Sequence, residues 1–235
     1  MKIIISILSL LFLLMPYDIT SSTGKELSII TIYKPIEIIK KEYRIVDSIY
    51  IRKLKSIKLG KNIPEDNKKL LKRILPNAKN KNYEHFLYDL AVRESDGNWR
   101  DTTSGHIGLW QIGHRARTDV GYSHIKTQDF KKNPFIFPPA DQLVVVERYL
   151  WLIENVYMKD YIKKYKNKKI NNIPITRTGI VAASHLVGFN TVKTYLRTNG
   201  KIIGTDGLNT SLEEYLILFY DYKIKNKQGN IAGLP

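Results

Sequence analysis

The segment 82–95, NYEHFLYDLAVRES, limits the fold more than any other stretch of the chain. Tyr83, Phe86, Leu87, Leu90 and Ala91 recur at three- and four-residue spacings, which predicts one apolar helix face that must be buried. Glu94 falls on that same face. A carboxylate carried there is drawn out of water, which disfavours its charged form, raises its pKa and suits it to act as a general acid. The competing reading is a structural glutamate paired with Arg93 or Arg100. Beyond the helix comes a loop punctuated by Gly97, Gly105, Gly108 and Gly113, residues that allow tight turns and close backbone approach. Thr102, Thr103 and Ser104 bring hydroxyls, and Trp110 and Gln111 place a flat ring beside an amide. An acid, an amide and a stacking face together suit a sugar.

The rest of the chain sets the frame for that segment. Further helices are expected near 112–119, 141–165, 176–197 and 211–224, the last opened by Ser211 and neighbouring hydroxyl and glutamate residues in a capping-box pattern. Strand signals are few, and NPFIFPP is broken by its prolines. The body, 82–227, is therefore expected to be mainly α, followed by a tail, 228–235. Before it, 23–81 reads as a weakly structured arm with a lysine-rich run and one helix, PEDNKKLLKRIL, and is expected to act as a spacer or lateral packing element with a solvated basic face. Residues 1–22 read as an export signal, since the apolar run 3–15 is short for a membrane span of ~20 residues. The small-residue cleavage pattern is missing, so an uncleaved anchor is the alternative, and only that would bring a membrane partner.

Composition narrows the chemistry. With no cysteine among 235 residues, disulfides, thiolate metal sites and a cysteine nucleophile are excluded. The five histidines lack the spacing of a metal-binding helix pair, and there is no phosphate-cradling Gly-Lys-Ser/Thr loop, so neither a metal nor a cofactor is expected. The net charge of +16 favours an anionic partner, although Lys, Ile and Asn are also what AT-rich coding produces. The tract MKDYIKKYKNKK, 158–169, is the only weak candidate for binding nucleic acid or a membrane, and it reads rather as a solvated helix end.

The order Glu94-Ser95, loop, Gly105-His106-Ile107-Gly108-Leu109-Trp110-Gln111-Ile112 resembles the signature of the lysozyme-like lytic transglycosylases (soluble lytic transglycosylase superfamily), which cleave the glycan strands of peptidoglycan. The longer GHIGLWQIGHRARTDVGY is similar to one branch, through Gln111, Gly113, Ala116, Asp119, Gly121 and Tyr122. NPFIFPPADQ and TRTGIVAASHLVGFNTVKTYLRTNG extend the likeness over about residues 83–222. The resemblance implies a lysozyme-like helical domain, an exported monomer working on peptidoglycan in the periplasm or cell envelope, and Glu94 as the catalytic residue. It further implies substrate contacts from Ser95, Thr102, Gly105, Trp110, Gln111, Ile112, His185 and Gly188. Thr102 stands where the family often has serine, and Trp110 where it has methionine. His185-Leu186 replaces a Tyr-Asn pair, as is usual in the closer branch. Only one carboxylate matches the motif, which suits a transglycosylase better than a hydrolase needing two. Asp96, Asp101 and Asp119 are the candidates for a second carboxylate in the hydrolytic, lysozyme alternative; a peptidoglycan-binding protein without turnover is the other.

Overall fold

The computed structural model describes residues 63–223, all within the unit 42–235. The expected export segment, most of the arm and the tail lie outside the described residues. Those described are mainly helical: α1 Glu65–Ile74, α2 Tyr83–Ser95, α3 His114–Asp119, α4 Thr127–Lys132, α5 Pro139–Leu152, α6 Lys159–Tyr165, α7 Arg177–Val187, α8 Phe189–Arg197 and α9 Leu212–Leu218. Two antiparallel hairpins of two-residue strands complete them: Thr102–Thr103 (β1) with His106–Ile107 (β2), and Lys169–Ile170 (β3) with Ile173–Pro174 (β4). None of these helices is long and apolar enough to cross a membrane.

Helix α2 forms where its periodicity places it. Asn82 caps its start by accepting from the His85 N–H, and Asp96 ends it in the left-handed conformation. Phe86, Leu87, Leu90 and Ala91 are fully buried; each large side chain contributes ~1.5–3 kcal/mol. Phe86 packs edge-on to Phe219 and Tyr222, which ties α2 to the segment that follows α9. Helix α9 lies against α7, and its first turn carries the complete capping box of Ser211 and Glu214.

Two expected helices are interrupted. The helix expected over 141–165 is interrupted by a π-helical turn, Ile153–Tyr157, between α5 and α6, a device that bends a helix without proline. The helix expected over 176–197 breaks at Gly188, whose φ of 80° only glycine adopts without strain. Across the boundary drawn at 81/82, α1 packs against the body. Leu71 and Leu75 sit in the common core, and Asn67 donates to the Asp96 carbonyl at 3.1 Å. The apolar stripe of Leu71, Ile74 and Leu75 packs against that core, Leu71 beside Gly97 just beyond α2; the lysine-bearing face is solvated.

Candidate active site around Glu94

Glu94 is carried on the last turn of α2, and its side chain keeps 11% of its surface exposed. It opens onto a cleft of about 430 Å³ lined by Pro64, Asn67, Arg93, Ser95, Asp96, Asn98 and Asp101 as well as Glu94 itself. The cleft therefore draws on α1, α2 and the loop beyond. Burial pushes the Glu94 carboxyl up to about 7. The Tyr215 hydroxyl opposes that rise most, donating to Oε1 at 2.7 Å from α9. The positive charges of Arg93 and His106 oppose it less, and the Asp206 carboxylate adds to it. Desolvation wins, so near neutral pH Glu94 exists in comparable acid and base forms, as a group that gives a proton and then takes one requires.

The pairing that would make Glu94 a structural residue is not seen. Arg93 reaches Glu214 at 3.3 Å, and Arg100 lies over the Trp99 ring. Among the described residues no lysine or arginine is within ion-pair distance of Glu94. His185 comes within 3.9 Å of Oε1, but burial pulls its pKa down to about 4. Its Nε2 lies 2.8 Å from the Trp110 carbonyl, which can only accept, so Nε2 bears the hydrogen. Protonating the buried Nδ1 would leave a donor unmet among the described residues. The contact with Glu94 is thus to a neutral imidazole.

The loop after α2 is held by its backbone. Gln142 of α5, fully buried, accepts from the Leu109 N–H at 2.7 Å and donates to the carbonyls of Trp99 and Phe137. A side chain at Gly108, whose φ is 79°, would run into that amide, which is why glycine stands there. The Ser95 hydroxyl donates to the Leu109 carbonyl at 2.8 Å, and His185 takes the next one. Together these groups satisfy the buried part of the loop, Leu109 and Trp110, which the short β1–β2 ladder does not reach.

The structure brings Glu94, Ser95 and His185 together and corrects three other expected contacts. Trp110 is fully buried, its indole N–H donating to the Leu87 carbonyl at 2.9 Å. Its ring is core beneath the loop, not a wall of the cleft. Ile112 is 1% exposed, and Gln111 turns its amide N–H back onto the Gly108 carbonyl at 2.9 Å. Both are directed inward because the Ile107 to Ile112 bridge closes the loop over the core. Thr102 and Gly105 lie on the β1–β2 hairpin, Gly105 in open space, and Gly188 marks the α7–α8 break. Among the possible second carboxylates, Asp96 and Asp101 line the cleft, whereas Asp119 accepts from the Tyr157 hydroxyl at 3.2 Å. Sequence reasoning missed Tyr215, Gln142 and Asp206. A polar Gln142 on the apolar face of Val145, Val146 and Leu150 was a readable signal; Tyr215 and Asp206 offered none. Among the described residues no cluster of His, Asp or Glu is placed to hold a metal ion.

No protein-family model, curated protein or solved structure matches the chain.

The effect of Tyr215 on Glu94 is testable on the protein alone. Because the Tyr215 hydroxyl favours the charged carboxylate, Tyr215→Phe should move the Glu94 titration upward from about 7. Carbon-13 NMR of labelled glutamate reads it directly. An unchanged or lowered midpoint would mean that the hydroxyl does not act on Glu94.

Proposed function

We propose that the protein is a glycoside-cleaving enzyme with Glu94 as its general acid and base. More particularly, it is a peptidoglycan lytic transglycosylase of the lysozyme-like fold, exported to the cell envelope and acting as a monomer on glycan strands. The observation that carries the reading is the Glu94 carboxyl held near neutrality in an open cleft, with a tyrosine hydroxyl and no cationic partner among the described residues. The sequence likeness around Glu94 supplies the substrate class.

In this scheme Glu94 protonates the glycosidic oxygen between N-acetylmuramic acid and N-acetylglucosamine as the C1–O bond breaks. The resulting carboxylate, steadied by the Tyr215 hydroxyl, takes the proton of the muramic 6-hydroxyl while O6 bonds to C1. The acid form is restored, a 1,6-anhydro end is left, and no water is consumed. Neutral His185 orders the loop under the reacting sugar without placing a charge beside the acid.

A second reading rests on Asp96 and Asp101, which line the same cleft. Either could direct a water in a hydrolytic muramidase, where the two carboxyls stand ~5–5.5 Å or ~6.5–9.5 Å apart. Mass spectrometry of the soluble products separates the two. The transglycosylase yields anhydro ends one water lighter than reducing ends; reducing ends alone would overturn it in favour of hydrolysis.

A further inference from the structure

The loop lining the cleft carries a feature that chemistry at Glu94 does not use. Trp99 and Arg100 lie between Asn98 and Asp101, both of which face the cleft. The Trp99 ring meets Phe135 edge to face at 5.4 Å between centroids. The Arg100 guanidinium lies 4.7 Å from the centre of the Trp99 ring and 5.6 Å from that of Phe135. Phe135 is 68% exposed.

This group is held in place. Phe135 stands on a 3₁₀ turn, Pro134–Ile136, capped by Asn133, and the Trp99 carbonyl is fixed by Gln142. The guanidinium lies over rings on which a sugar could otherwise stack, and Arg100 is exposed to solvent. Among the described residues its partners are these rings, with no carboxylate. An exposed guanidinium without a carboxylate partner among the described residues, beside an exposed apolar ring, matches a carboxylate attached to a small apolar side chain.

We infer that Trp99, Arg100 and Phe135 form a subsite for the peptide stems of the glycan strand, Arg100 taking a stem carboxylate and Phe135 covering the adjoining methyl group. The inference rests on the glycan-cleaving reading and adds what distinguishes a stem-bearing strand from a bare one. It places the stem at the Asn98–Asp101 side of the cleft.

Binding of two probes to the full chain tests it, in the Glu94→Gln background so that nothing is cleaved: a disaccharide-tetrapeptide oligomer and the same glycan freed of its stems. Arg100→Ala and Phe135→Ala should each weaken binding of the stem-bearing probe roughly three- to fivefold, the effect of Arg100 fading as salt rises. Binding of the bare glycan should not change, and Lys163→Ala, an equal loss of charge on exposed α6, should move neither. Equal losses for both probes, or none for either, would overturn the subsite while leaving the glycan reading intact. Binding to anionic phosphatidylglycerol vesicles that is lost with Phe135 would also overturn it, assigning the patch to a membrane. If neither glycan probe binds the parent protein, the glycan reading falls as well.

Discussion

Trp110→Ala is expected to destabilise the fold by ~3–5 kcal/mol, the usual loss on truncating a large buried aromatic. For a domain of this size that lowers the thermal midpoint by roughly 6–20 °C. The ring is fully buried, and its N–H has a partner on α2. Removing it opens a void beneath the loop whose carbonyls hold Ser95 and His185. Trp110→Phe refills most of the volume and forfeits only the N–H bond, so it should recover more than half of the loss. Differential scanning calorimetry of the two variants measures both. A midpoint within two or three degrees of the parent for Trp110→Ala, with glycan binding lost, would put the ring in the cleft and contradict its place in the core.

The fate of Trp110 shows where reading the sequence reaches its limit. Helix periodicity identifies which way a side chain points, and for Glu94 and the apolar residues of α2 that was enough. Trp110 sits in a loop with no period, and its direction is decided by what closes over it: the Ile107 to Ile112 bridge and the helices on either side. The capping box at Ser211 and Glu214 was legible because both partners lie within one turn. The Tyr215 hydroxyl on Glu94 was not, because its partner is 121 residues away.

Long helices were legible as apolar patterns but not as straight rods. The π turn at Ile153–Tyr157 inserts its irregularity without any glycine or proline to announce it. Gly188 was visible as a residue, yet glycine inside a helical pattern is tolerated often enough that a break could not be read from it alone. Helix α1 was recognised as a helix, but spacer and lateral packing element could not be told apart from the sequence. Its apolar side chains were in plain view, yet the core they join is assembled from residues far along the chain.

Glu94→Gln is the substitution on which the functional reading depends. Glutamine keeps the volume and can accept from the Tyr215 hydroxyl, but it can neither give nor take the proton. The variant should also be more stable than the parent at alkaline pH. Burial raises the folded-state pKa from 4.5 to about 7, so the parent loses stability as pH rises through that window, by at most on the order of 3 kcal/mol. At pH 4 the two proteins should melt alike; at pH 8 the glutamine variant should melt higher. A folded, more stable protein without activity separates a catalytic role from a structural one.

The direct measurement is release of soluble muropeptides from purified peptidoglycan by the parent and by Glu94→Gln, with binding to the insoluble polymer measured in the same tubes. The expected result is retained binding and a rate reduced by ~10²–10⁴, the usual contribution of general acid–base assistance. Release by Glu94→Gln within a few-fold of the parent rate would contradict a catalytic Glu94.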